Sequence, residues 1–419
     1  MLETYEKITL DNGVRILFEK IPYVRSASAG IWVGTGSRNE KAHECGAAHF
    51  IEHMLFKGTS TRTSAEIAEQ MDAIGGQTNA FTSKEQTCFY GKVLDTHLDI
   101  LLDVLSDMFF ESCFSESDVI SERGVILEEI DMYKDTPEDL VSERLFSAIY
   151  KGNPLSRSIL GTPATLGRMN GGLLKSYMSR HYLAGSVVFA LSGSFSEDNI
   201  AYIKDRFSEM KPGAESVAKA AAYQPSFTVK KKKIEQNHLC FAFPACSFRD
   251  DRRYAFQLLS SILGGGMSSR LFQTLREKLG LCYSVYSFVA GHNDTGVFGI
   301  STALGQETEK AAISAILDEV EKLRDSGVAE EELIRAREQV KANVILGLES
   351  TSARMHRLGK NELCFGSVPS AEDIIRAYNA VTCEDIIGIA RETFDFSDLS
   401  LSAVGKVGTA EEYRSMTLR

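Results

Sequence analysis

HFIEHMLFKG, residues 49–58, sets two histidines and a glutamate within about one helical turn of an otherwise apolar segment. At 100° per residue His49, Glu52 and His53 fall at about 0°, −60° and +40°, inside an arc of roughly 100°. The neighbours Ala47, Ala48, Phe50, Ile51, Met54, Leu55 and Phe56 make the helix apolar nearly all round, so it is expected to be buried. Buried imidazoles and a buried carboxylate need partners, and a metal ion supplies them. Two imidazoles one turn apart can hold one ion while Glu52 reaches a water at the open coordination position and takes its proton, the logic of metal-assisted hydrolysis. The order H-x-x-E-H is the inverse of H-E-x-x-H. A half-exposed polar face, the competing interpretation, conflicts with those apolar neighbours.

Such a centre needs a third protein ligand, and SERGVILEE, residues 121–129, offers candidates. Glu122 and Glu129 are seven apart, two turns along one stripe, so one could ligate while the other supports a ligand. Spacing alone leaves Glu128 and Glu129 both open as the ligand.

Outward from this motif the chain reads as strands and helices in alternation. Ile8–Leu10 and Val14–Phe18 flank the turn Asp11-Asn12-Gly13, and Ala27–Val33 is a third strand. Helices are expected over Cys45–Phe56 and after Thr63, with Glu66 completing a capping box. Thr78–Thr82 and Gln86–Val93 form a strand pair, and helices run from about His97 to Phe109 and Glu116 to Lys134. After residue 230 the order recurs: strand Leu239–Phe243, helix Arg253–Leu263, strands Tyr283–Ala290 and Val297–Leu304, helix Glu309–Arg324. VAEEELI (328–334) resembles FSESDVI (114–120), and LSLSAVG (399–405) resembles SVVFALSG (186–193). The expected fold is therefore α+β in two homologous repeats, each a mostly antiparallel sheet packed with helices. Lys211-Pro212-Gly213-Ala214-Glu215-Ser216 suits a linker, dividing the chain into domains at 1–215 and 228–419. The second repeat has Leu258-Leu259-Ser260-Ser261-Ile262 where the first has its histidines, so only the N-terminal domain is expected to bind metal.

At 419 residues with 43% apolar residues, the chain can build two cores. A net charge of −11 disfavours nucleic acid and anionic membranes as partners. No secretory leader and no apolar run of membrane-spanning length is legible, which makes the cytoplasm the expected location. Eight scattered cysteines without a C-x-x-C read as free thiols. Gly264-Gly265-Gly266 lacks the ending of a phosphate-binding loop.

Four stretches together carry a family resemblance: GAAHFIEHMLFKGT (46–59), GGQTNAFTSKEQTCFY (75–90), ERGVILEEI (122–130) and GGGMSSRLFQTLREKLGLCYSV (264–285). Over essentially its whole length the chain resembles the pitrilysin and insulinase zinc metallopeptidases, in particular the branch of the mitochondrial processing peptidase β-subunit and its bacterial relatives. The resemblance implies that the third ligand is Glu129, 76 residues after His53, with Glu122 as the supporting acid. It implies one zinc per chain on His49, His53 and Glu129, with Glu52 activating water. His43 matches no family ligand. An extended peptide would add to the edge strand at Asn79, Ala80 and Phe81, and Arg276 and Tyr283 would hold substrate, the phenol helping to stabilise an oxyanion. The two repeats would form one bowl-shaped half of a peptidase chamber, completed in a homodimer. The function so implied is a zinc endopeptidase acting on extended or unfolded peptides. The alternative is a non-catalytic assembly or chaperone-like subunit of the same fold, against which the intact set His49, Glu52, His53 and Glu129 weighs.

Overall fold

The computed structural model describes residues 5–213 and 218–418; Ala214, Glu215 and Ser216 of the expected linker lie outside the described residues. Two compact units emerge, and they cut across the division in sequence order. One gathers Met1–Ile130, Arg157–Lys219 and Ile345–Ser370; the other gathers Asp131–Ser156, Ala220–Val344 and Ala371–Arg419.

The first unit is built on a six-stranded sheet. Its strands are β1 (Glu6–Thr9), β2 (Arg15–Lys20), β3 (Ser26–Val33), β4 (Gln77–Thr82), β5 (Thr87–Leu94) and β6 (Val187–Gly193), in the order β1-β2-β6-β3-β5-β4. Only β2 and β6 pair in parallel. Strand β3 is buried on both faces, and its period of two divides the load. Ala27, Ala29, Ile31 and Val33 enter the core beneath helices α1 (Ala47–Leu55), α2 (Ser64–Ala73) and α3 (Leu98–Glu111). Trp32 points the other way and packs with Met355, Leu358 and Leu363 of the helix Thr351–Phe365.

That helix comes from the C-terminal part of the chain, and small residues let it lie close. A Cβ on Gly359 would fall 2.2 Å from the Trp32 ring, and one on Gly30 would fall 2.5 Å from the Met355 sulfur. Ion pairs pin both ends: Arg354 pairs with Glu19, and the buried Glu362 carboxylate takes Lys7 at 2.6 Å and Arg15 at 3.5 Å. A sheet with two apolar faces needs two covers, and this helix is the second.

The second unit repeats the plan. Strands β7 (Phe227–Lys231), β8 (Asn237–Ala245), β9 (Cys282–Gly291), β10 (Gly296–Leu304) and β11 (Ser400–Gly405) run in the order β7-β11-β8-β10-β9, with β7 and β11 the parallel pair. This matches β2-β6-β3-β5-β4 strand for strand, so β9 is the counterpart of the edge strand β4. Helices Arg253–Gly264, Glu309–Ser326 and Cys383–Thr393 cover one face. After α4 (Glu116–Asp135), helix α5 (Pro137–Ile149) covers the other with Val141, Leu145 and Ile149. Each unit thus takes one covering helix from the opposite half of the sequence. The α+β class and the repeated, mostly antiparallel sheet agree with the sequence-based expectation. No helix among the described residues is long and apolar enough to cross a membrane.

Candidate metal centre

Helix α1 begins at Gly46, whose φ of +95° favours glycine. Glu40 anchors this start: its carboxylate accepts from the Gly46 and Ala48 amides, each at 2.9 Å, placing an acid where the helix dipole favours one. Burial pushes the Glu40 carboxyl up to about 8 against the pull of those two amides and of Lys84 and Arg157. Phe50, Ile51, Met54 and Leu55 lock the helix into the core, which fixes the phase of its polar residues. His49 is buried; Glu52 and His53 are half-buried.

Helix α4 supplies the facing acids. His49 Nε2 lies 3.3 Å from His53 Nε2, and Glu129 Oε2 lies 3.6 Å and 3.7 Å from these two nitrogens. A tetrahedral ion with ligand distances near 2.1 Å has donor separations of about 3.4 Å, so the triangle has the size of one face of a zinc site. Glu128, one residue away, is exposed. Among the described residues this is the one cluster of three side chains able to share an ion.

Neighbouring groups set the donor chemistry. His53 Nδ1–H donates to Glu122 Oε1 at 2.8 Å, which leaves the Nε2 lone pair facing the triangle. The other Glu122 oxygen meets Lys57 Nζ at 2.6 Å. Burial first, and the neighbouring His53 second, hold His49 down to about 3, so it stays neutral at ordinary pH with a lone pair to give. Burial raises the Glu129 carboxyl, and His53 opposes the rise. Two imidazoles and one carboxylate are a donor set that suits zinc. Glu52 stands beside the triangle. Its Oε2 accepts from Thr82 Oγ1 at 2.6 Å, and burial raises its carboxyl while Thr82 and His53 pull it down.

The remaining expected residues fall in two places. Asn79, Ala80 and Phe81 lie on β4, at the edge of the first sheet, where Asn79 Oδ1 accepts from the Ala80 amide at 2.8 Å. Arg276 and Tyr283 belong to the second unit and are brought together there. Arg276 rides on a wide helical turn, Phe272–Lys278, with i→i+5 hydrogen bonding, a form frequent at functional sites. Its guanidinium lies over the rings of Phe272 and Tyr283, 4.7 Å and 4.9 Å from their centres. Tyr283, on β9, is 74% exposed. His43 is exposed, with its ring 3.7 Å from Glu44.

Sequence reasoning passed over Lys57, Thr82, Glu40 and Phe272. Lys57 carried a signal, standing four residues after His53 on the same side of the helix end. Thr82 stands two residues from Ala80, on the same strand face.

Residues 15–163 match the family Insulinase (Peptidase family M16), and residues 169–340 match the family's "Peptidase M16 inactive domain". The chain is 42% identical over 405 residues to "Uncharacterized zinc protease YmxG" of Bacillus subtilis, covering 96% of this chain and 98% of that one. The chain belongs to peptidase family M16. Another relative, "Uncharacterized zinc protease" of Rickettsia felis, is 37% identical over 406 residues, 96% of this chain and 98% of its own. Among solved structures, the M16 inactive domain from Pseudomonas fluorescens superposes with a TM-score of 0.89 at 20% identity, over 97% of this chain and 99% of that one. A protease from Helicobacter pylori gives 0.89 at 22% identity, over 96% and 100%. These two likenesses establish the fold. The insulinase match encloses His49, Glu52, His53 and Glu129, the full set of facing donors and the carboxylate beside them.

Proposed function

We propose that this M16 chain is a zinc-dependent endopeptidase that cleaves extended or unfolded peptides, processing-peptidase-like in kind. The observation that carries the reading is the 3.3–3.7 Å triangle of His49, His53 and Glu129 with the Glu52 carboxyl beside it. One zinc ion held by these three side chains would polarise a peptide carbonyl and acidify water. Glu52 is the group placed to take the proton of the attacking water, and after carbonyl attack to pass it to the leaving amine. Its raised proton affinity, which comes from burial, suits both halves of that exchange. Glu122 holds the His53 ring with Nε2 forward, and Lys57 neutralises Glu122.

Substrate enters this scheme as a strand. Edge strand β4 can bind a peptide through backbone hydrogen bonds, which are tolerant of sequence, at Asn79, Ala80 and Phe81. Arg276 and Tyr283 hold the peptide, and the phenol donates to the carbonyl oxygen as it gains charge. Two chains pair, so that Arg276 and Tyr283 of one serve the metal centre of the other.

The test combines a fluorogenic peptide library with metal analysis of the purified protein. Chelator-sensitive cleavage, one zinc per chain and silencing by Glu52→Gln are expected. Absence of zinc, or cleavage indifferent to chelator and to Glu52→Gln, would overturn the reading.

A further inference from the structure

We propose that Thr82 is a positioning residue that orients the Glu52 carboxylate and ties it to the strand on which a peptide would lie, an inference that rests on the peptidase reading above. Thr82 closes β4, paired across the ladder with Thr87. By the period of two it shares a strand face with Ala80, which packs against the core beneath α1. From there its hydroxyl donates to Glu52 Oε2 at 2.6 Å. Among the described residues, Thr82 is the only hydrogen-bond partner of the Glu52 side chain.

The last torsion of a glutamate has a broad rotational preference, so packing of the helix does not by itself aim the two carboxylate oxygens. One short charge-assisted bond does, because it fixes Oε2 and leaves Oε1 as the free acceptor for a water molecule. The donor sits on the edge strand rather than on the helix that carries Glu52. The orientation of the proposed base therefore depends on where β4 lies, and β4 is the element a peptide would extend. The position calls for a hydroxyl and also for a β-branched shape in a strand. Valine keeps the shape and removes the donor; serine keeps the donor.

The experiment compares wild type with Thr82→Val and Thr82→Ser, each also in a Glu52→Gln background, by kcat, KM, zinc content and thermal midpoint. The expected result for Thr82→Val is a fall in kcat of about 10- to 100-fold at unchanged KM and zinc content, the scale of one hydrogen bond to a charged group. Thr82→Ser restores the greater part of kcat. In the Glu52→Gln background the Val substitution lowers the residual rate no further, because there is no carboxylate left to aim. Crystal structures of the zinc-free variants provide a readout apart from activity: the Glu52 carboxylate turns in Thr82→Val and stays in Thr82→Ser. Wild-type kcat in Thr82→Val, a change confined to KM, loss of zinc, equal damage by Ser and Val, or an unmoved Glu52 in all three structures would each overturn the proposal. A wild-type protein without chelator-sensitive cleavage would sink the peptidase reading instead, and the zinc-free structures would still decide whether Thr82 aims Glu52.

Discussion

Replacing Glu122 by glutamine probes how the proposed metal centre is held, because the change is nearly isosteric and alters the contacts with His53 and Lys57. Both carboxylate oxygens are engaged: Oε1 accepts from His53 Nδ1–H at 2.8 Å, and Oε2 faces Lys57 Nζ at 2.6 Å. The side chain is only 5% exposed, so water cannot freely replace a lost partner. An amide offers one acceptor and one donor. With its oxygen toward His53, its NH2 confronts the Lys57 ammonium, donor against donor. With its oxygen toward Lys57, the NH2 confronts His53 Nδ1 and selects the tautomer that carries hydrogen on Nε2, the atom in the triangle. Either arrangement costs zinc affinity, and losses of this kind run to about 10- to 100-fold, or about 1.4–2.8 kcal/mol. Lys57 is partly exposed, so solvent relieves some of the ammonium clash and the lower half of that range is expected. The assay is competitive titration of zinc against a chromophoric chelator. Lys57→Met added to Glu122→Gln removes the ammonium and should recover part of the affinity, a coupling that independent effects would not produce. Zinc affinity unchanged in Glu122→Gln, in a protein with its normal thermal midpoint, would refute the argument that Glu122 sets the His53 tautomer.

Other perturbations test other parts of the molecule. Glu52→Gln should leave zinc content intact and lower kcat by about 10²- to 10⁴-fold; retention of full turnover in a peptide assay would exclude Glu52 as the base. An Arg276→Ala or Tyr283→Phe chain mixed with a Glu52→Gln chain should regain activity through mixed dimers, and no recovery after demonstrated subunit exchange would place the pair in cis. Gly359→Ala sets a helix gain of about 1 kcal/mol against overpacking on Trp32 of about 1–3 kcal/mol. Overpacking should prevail because the Cβ would fall 2.2 Å from the ring, so a midpoint at or above wild type would count against the packing of that helix. Glu40 predicts a pH dependence whose sign follows from burial. Its carboxyl rises from 4.5 to about 8 on folding, so its contribution is full below about 4.5 and is lost as pH climbs through about 8. Denaturant titrations between pH 5 and 8 should show this decline in wild type and a flatter profile in Glu40→Gln; identical slopes would remove Glu40 as its source.

How much of this was legible before the structure depends on the range of the interaction concerned. Helix α1 was visible because its apolar residues and its His-Glu-His stripe are local, and the repeat was visible because the strand order writes itself twice in the chain. Glu128 and Glu129 were indistinguishable by spacing, since both can face α1 for some rotation of α4. Packing chooses the rotation: Ile126 and Ile130 turn into the core, which puts Glu122 and Glu129 on the stripe toward the histidines and leaves Glu128 exposed. The exchange of covering helices was beyond local reading. A helix pattern tells that a segment has an apolar stripe, but not which sheet receives it; for Thr351–Phe365 the signs are the absence of a side chain at Gly30 and Gly359 and the ion pairs Glu19–Arg354 and Lys7–Glu362, each separated by more than 300 residues.

The same distinction explains why Thr82 and Lys57 escaped notice while the proposed ligands did not. Metal ligands must present particular atoms, so their residue types are restricted to a few and stand out against an apolar helix. The groups that orient ligands need only a donor or a charge at the correct distance, and threonine in a strand or lysine at a helix end is ordinary by composition. Their role becomes visible only when 2.6 Å separates Thr82 from Glu52 and Lys57 from Glu122. A helix with two histidines is therefore a weak specification of a working centre. The stronger one adds a strand that aims the carboxylate and a lysine that pairs with Glu122, and both can be removed without touching a proposed ligand. Variants at these two positions should then separate metal binding from turnover: Lys57 through zinc affinity, Thr82 through kcat at constant zinc.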